Sequence, residues 1–389
     1  MSLTLSRRSF VRTLLATGIS SALDPLIAQT SPPPRWLLIG DSHGEGIYRA
    51  AWDPLKGTLG KPELAVATPQ PTFLNLHPRL PVLYACNEVD GADGSISAFA
   101  LDRNSGRLTH LATQTTRGGS PCFASVGRTG RLLFVANYAG GSLAVFPLSA
   151  SGRPEPIGEL FDCAHAHCGP GGPVKDRQSS AHLHCATLSP DNRYVLACDL
   201  GDDAILAFPI HPGAAHPLGE VTRIQTAAGA GPRHLAFHPN GRWLYCINEI
   251  DCTVSLYLWR PRSNQPAAES VPDATVSIRP QNAANNPPST AAELRIAHDG
   301  RFLYTSTRFS DVLTVFSIDP GHGRLTEIQQ LPCGGKTPRF FALDPGERWL
   351  VCANQDSDSI NVFARDGNTG RLTPGGTFPA TNPECLLWL

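Results

Sequence analysis

Six stretches of this chain follow one template: an apolar run, a polar turn, a second apolar run, then Asn, Asp or Thr and a polar loop. They occupy 74–87, 123–137, 187–199, 235–248, 294–307 and 341–354. The residues that close them are Asn87, Asn137, Asp199, Asn248, Thr307 and Asn354, which stand 50, 62, 49, 59 and 47 positions apart. A repeat of roughly 40–50 residues built from short strands is the mark of a propeller blade. A third strand follows the anchors, as at 142–146, 253–257 and 360–363, and a Gly-Arg-Leu turn comes next at Gly106, Gly323 and Gly370. Residues 36–40 begin a seventh unit that lacks its first strand, and 383–389 at the other end have the character of that strand. The chain therefore reads as an all-β, seven-bladed β-propeller, its ring closed by pairing of the N- and C-terminal strands so that no long edge stays open. The two wide spacings mark insertions near 163–181 and 263–289.

Composition removes several alternatives. Lys and Arg number 32 against 33 Asp and Glu, a formal net charge of −1, so there is no basic field to hold nucleic acid. No apolar run is long enough for a membrane span in the mature chain. Residues 1–30 read as a twin-arginine signal peptide, with Arg7 and Arg8, Phe10 two positions on, and a short apolar stretch at 14–23. That leaves 31–389 as a single propeller domain, delivered to the periplasm by the twin-arginine export machinery and expected to be a monomer. Eleven cysteines in an exported chain would ordinarily signal disulfides. This route carries chains already folded in the reducing cytosol, however, and Cys86, Cys198, Cys246 and Cys352 lie in apolar strand runs, where a thiol packs as a small hydrophobe. Mostly free, buried thiols are expected.

Active sites of propellers gather where loops converge at one mouth of the central channel, so polar residues beside the anchors and ahead of the innermost strands are the candidates. Three stretches qualify: Arg177-Gln178 followed by His182 and His184; Arg233-His234 together with Asn248-Glu249; and Ser306-Thr307-Arg308. His and Glu suit proton transfer, and arginines suit a developing oxyanion or a substrate carboxylate or phosphate. Period two puts His182 and His184 on one face and does not choose between them. Arg233, Glu249 and Arg308 are equally the residue types of a structural ion pair between blades. No Gly-x-Ser-x-Gly elbow is present, so direct attack by water is expected. Cys163, His165, His167 and Cys168 are dense enough to raise the question of zinc, but their spacing matches no finger or ribbon; no metal is assigned.

The succession Asn137-Tyr138-Ala-Gly-Gly-Ser142, Arg177-Gln178 with His-x-His, Asp199-Leu-Gly-Asp202, Gly-Pro-Arg233-His234, Asn248-Glu249 and Gly334-Gly335-Lys-Thr-Pro338-Arg339 resembles the lactonase family of seven-bladed propellers. That family includes propeller-type 6-phosphogluconolactonases and carboxy-cis,cis-muconate cyclases. The resemblance implies catalytic groups at His182 or His184, Arg233, Glu249 and Arg308, and substrate contacts at Arg177, Gln178, His234 and Arg339. It implies no metal and no cofactor. Thr307 stands where the family places Asn before the last arginine. The expected activity is hydrolysis of a sugar-acid lactone, 6-phosphogluconolactonase-like. A phosphorylated lactone is a cytosolic compound, so export points to an unphosphorylated one. A cycloisomerase acting on an unsaturated dicarboxylate, or a propeller that only binds a ligand or partner, are the alternatives.

Overall fold

The computed structural model describes residues 36–91, 94–260, 272–280 and 288–389; the twin-arginine segment and most of the second insertion lie outside the described residues. Seven antiparallel sheets follow one another, six of four strands and one of five, which gives the seven-bladed β-propeller expected from the repeat. Blade 1 combines both chain ends: Pro383–Trp388 pairs with Trp36–Asp41, with Leu37 opposite Trp388 and Leu38 opposite Leu387. Blades 2 to 7 start on Pro71–Leu76, Pro121–Val126, Thr187–Leu188, Pro232–Phe237, Thr290–Ile296 and Pro338–Leu343. These first strands lie against one another around the ring and form its innermost layer.

The second strand of each blade has packing on both faces, which is why it reads as a continuous apolar run rather than an alternating one. Leu132–Asn137, Tyr194–Asp199 and Trp243–Asn248 are buried along their whole length. Cys86, Cys198, Cys246 and Cys352 are fully buried within these strands. Tyrosines of this layer latch neighbouring blades. Tyr84, Tyr245 and Tyr304 donate their hydroxyls to the carbonyls of Gly152, Gly323 and Gly370 at 2.6, 2.6 and 2.9 Å. Gly323 and Gly370 belong to the Gly-Arg-Leu turns. They sit at positive φ, and a Cβ there would strike Trp243 and Phe302 of the preceding blade at 2.5 and 2.3 Å, so glycine is required twice over.

The anchor residues are clamps. Asn248 donates to Thr253 and Ser255 at 2.8 and 3.1 Å, and Asn354 donates to Asn361 at 2.8 Å. Each side chain thereby ties the end of a second strand to the third. Asp199 departs from this pattern. Its Oδ1 accepts instead from the backbone N–H of His182, Gly201 and Asp202 at 2.9, 3.1 and 3.2 Å, which fixes the end of the first insertion against blade 4.

Burial, with Asp202 adding repulsion, raises the Asp199 carboxyl to about 7 against the opposing backbone donors. A carboxyl whose folded pKa is raised binds its proton more tightly in the folded state, so stability declines as pH rises from about 4 to 7. Asp199→Asn installs the residue found at Asn87, Asn137, Asn248 and Asn354 and removes that cost. The variant is expected to melt higher than the wild type at pH 7.5, with the gap closing near pH 4. A gap that does not depend on pH, read by differential scanning calorimetry across that range, would contradict the assignment.

Candidate active site

Each innermost strand enters the ring with a residue opposite its blade's anchor: Pro71 faces Asn87, Pro121 faces Asn137, Pro232 faces Asn248, Pro338 faces Asn354 and Pro383 faces Asp41. Proline lacks an N–H, so the first position of a strand is where it costs the ladder least. The residue after it is skipped by the pairing in all five blades, which makes Thr72, Cys122, Arg233, Arg339 and Glu384 bulge residues. Blade 6 skips Ala292 and Glu293. A bulge leaves its extra residue outside the pairing and re-aims its side chain. The residues just after the anchors, among them Glu88, Tyr138, Glu249 and Arg308, form a second tier. With His184 of blade 4, which follows Leu183 opposite Asp199, the two tiers bring one polar residue or more from every blade to the same mouth.

Glu249 is the centre of this arrangement. Its buried carboxylate takes Arg233 Nε at 2.9 Å and Arg308 Nη2 at 3.0 Å, is also bonded by Arg177, and lies 4.0 Å from His184 Nε2. Burial alone would raise its pKa, but Arg308, Arg233 and Arg177 overcome this and hold it well below the usual carboxylate range. Arg308 reaches the cluster although Thr307, not Asn, precedes it. Its guanidinium is pushed down to about 10 by burial and remains charged at neutral pH, and its Nε has no hydrogen-bond partner.

His184 is buried, and burial followed by the charge of Arg233 keeps it well below the ordinary histidine range. It is a neutral imidazole at pH 7. Its Nδ1 is 3.8 Å from Cys122 Sγ, and it meets the rings of Tyr138 and His234 edge-on at 5.3 and 5.2 Å. His182, two residues earlier, is half-buried nearer the rim: its ring stacks on Tyr138 at 4.5 Å, and its Nδ1 lies 3.0 Å from the Tyr138 carbonyl. Arg177 is the most exposed of the arginines, 37% by side chain, and its Nη2 also approaches the Tyr138 hydroxyl at 3.4 Å.

The remaining residues named from sequence divide. Arg339 joins the cluster through different partners, with Nε 2.9 Å from Glu384 and Nη2 3.9 Å from Glu88, and these carboxylates raise its pKa. His234 pairs with Glu293 at 3.2 Å, and burial lowers it to about 4. Gln178 does not join. Fully buried, it donates to the Leu200 carbonyl and Asp203 at 2.9 and 2.8 Å and accepts from Val174 N–H at 3.1 Å, so its amide braces the first insertion. Below the polar tier, Phe73 stacks on Phe123 at 4.2 Å and meets Phe340 edge-on at 6.3 Å, giving the site an apolar floor. Among the described residues, no three His, Cys, Asp or Glu side chains are grouped to hold a metal ion. His165, in the Cys/His loop, pairs with Asp162 at 2.8 Å.

Glu88, Glu384, Glu293, Tyr138 and Cys122 were not singled out from sequence. Two carried a readable signal. Asn87-Glu88 repeats Asn248-Glu249 at an equivalent anchor, and Pro383-Glu384 occupies the place of Pro232-Arg233 and Pro338-Arg339.

A family model described as a lactonase seven-bladed β-propeller matches residues 37–388. The chain is 34% identical over 347 residues to a 6-phosphogluconolactonase of Bacillus subtilis, covering 89% of this chain and 95% of that one. It is 34% identical over 306 residues to a 6-phosphogluconolactonase of Formosa agariphila, covering 77% and 83%. A solved structure of a periplasmic gluconolactonase from Pseudomonas aeruginosa superposes with a TM-score of 0.83 at 30% identity, over 91% of this chain and 98% of that one.

Proposed function

Because the chain belongs to the lactonase family of seven-bladed β-propellers, we propose that it hydrolyses a sugar-acid lactone by direct attack of water at the mouth built around Glu249. The observation that carries this reading is the buried Glu249 carboxylate, bonded by three arginines with a neutral His184 beside it. In this mechanism His184 takes a proton from the water as its oxygen bonds to the lactone carbonyl carbon. The carbonyl oxygen becomes an oxyanion and is met by the guanidinium groups of Arg308 and of Arg177 at the rim. Fixed donors of this kind are often the largest catalytic contribution. As the carbonyl re-forms, the bond to the ring oxygen breaks, and the imidazolium returns its proton to that oxygen. Glu249 is held too acidic to serve as the base. Its part is to orient the arginines and stabilise the transient imidazolium.

The lactone we assign is an unphosphorylated aldonolactone, acted on in the periplasm. Charge supports this choice. Arg177, Arg233, Arg295, Arg308 and Arg339 are opposed by Glu88, Glu249, Glu293 and Glu384, a surplus of one positive charge. That matches a single developing oxyanion, whereas a phosphate monoester would add a charge of about −1.5 to −2. The twin-arginine motif in residues 1–30 and the likeness to a periplasmic gluconolactonase support the same compartment and substrate.

The test is kcat/KM for D-gluconolactone against its 6-phosphate, by acid release with the spontaneous rate subtracted. The unphosphorylated lactone is expected to be preferred. A tenfold or greater preference for the 6-phosphate would overturn the substrate assignment.

A further inference from the structure

Ten of the eleven cysteines are buried, and Cys168 alone is partly exposed. Its backbone ties it to Cys163: the Cys168 N–H donates to the Cys163 carbonyl at 3.1 Å, the closure at a left-handed helix end that sets the two flanking side chains against each other. Between them runs a single helical turn, Cys163–Ala166, which ends at His167 in the left-handed conformation, φ 51°, and this bend folds the chain back so that the two side chains meet. Cys185, Cys198 and Cys246 share one apolar cluster, but all three are fully buried, out of reach of any oxidant. The Cys163–Cys168 turn stands at the entry of the first insertion, whose far end supplies Arg177 to Glu249 and His182 to Asp199.

We propose that Cys163 and Cys168 are an oxidation site that closes to a disulfide in the presence of a low-molecular-weight or protein disulfide, and that the bond staples the base of the loop carrying Arg177. The accessible Cys168 begins the exchange as its thiolate. It attacks one sulfur of the oxidant, whose S–S bond breaks and releases one thiolate, leaving a mixed disulfide on Cys168. Cys163 then gives up its proton and attacks Cys168 Sγ, expelling the second thiolate. Asp199 Oδ2, 3.8 Å from Cys163 Sγ, is the acceptor at hand for that proton. The two cysteines together lose two electrons and two protons, and the oxidant gains them as two thiols. Where in the cell this happens rests on the exported location proposed above; the chemistry of the pair does not.

The experiment equilibrates the purified full chain in glutathione buffers of stepped ratio, quenches with acid, denatures, alkylates and maps the peptides. The expected result is loss of two hydrogens from the peptide holding both residues, with the other nine cysteines alkylated. In Cys168→Ser, Cys163 is expected to be alkylated at every ratio. Both cysteines remaining alkylated in the most oxidising buffer, or Cys168 carrying glutathione while Cys163 stays free, would overturn the proposal. The same map on protein recovered from cells, beside an Arg7→Lys/Arg8→Lys precursor, tests the location separately. A bond that forms in the buffers but not in cells upholds the site and refutes the exported location.

Discussion

His184→Gln is expected to lower kcat by about 10²–10⁴-fold, the range for removal of a positioned base, while moving Tm by no more than a few degrees. The small thermal effect follows from the surroundings. His184 forms no close ion pair in the resting site, standing 4.0 Å from Glu249, and glutamine keeps a polar group where the imidazole met Cys122 and Tyr138. The wild-type pH profile checks the same assignment from the other side. Burial and Arg233 hold His184 well below the ordinary histidine range, so kcat/KM stays level as pH falls from 7.5 to 6. An acid limb centred near 6.5, the ordinary histidine value, would mean that His184 is not the base.

Glu249→Gln is expected to lose both turnover and stability. The substitution preserves shape and removes the charge that Arg233, Arg308 and Arg177 share. Breaking a buried ion pair by neutralising one side costs about 3–5 kcal/mol, because the partner charge stays buried. A fall in Tm on the order of 10 °C is the consequence. Since the folded pKa of Glu249 is depressed, its stabilisation is present above the unfolded carboxylate pKa and lost as pH falls through the folded one; wild type and variant should therefore converge in acid. Glu249→Gln/Arg308→Met relieves the repulsion. This double variant should recover much of the stability but none of the activity. Recovery of activity along with Tm would mean that Glu249 and Arg308 both serve the fold alone.

The blades were legible because strand patterning and turn glycines repeat. Gly323 and Gly370, picked out as Gly-Arg-Leu turns, prove to be the contacts on which Tyr245 and Tyr304 latch the blades. The site was legible only in part. Arg233, Glu249, Arg308 and Arg339 come together as the family resemblance implies, and the environments of the two histidines separate them where strand period could not. Glu293 escaped because it sits in a bulge, which breaks the two-residue alternation by which a strand's facing side is read, whereas Glu384 needed only the comparison of Pro383-Glu384 with Pro232-Arg233. Gln178 turns away from the cluster toward Leu200 and Asp203, which sequence could not show for the opposite reason. It lies in a loop with no period at all, and adjacency to Arg177 says nothing about where its amide turns. Glu88 needed only the comparison of one anchor with another.

Hydrolysis of D-gluconolactone in H2(18)O is the most direct test of the central claim, that this site adds water to a lactone. Enzyme-dependent acid release with one labelled oxygen in the product carboxylate, abolished by Glu249→Gln, is the predicted result. No release above the spontaneous rate would contradict the account and return the site to the cycloisomerase or ligand-binding alternatives.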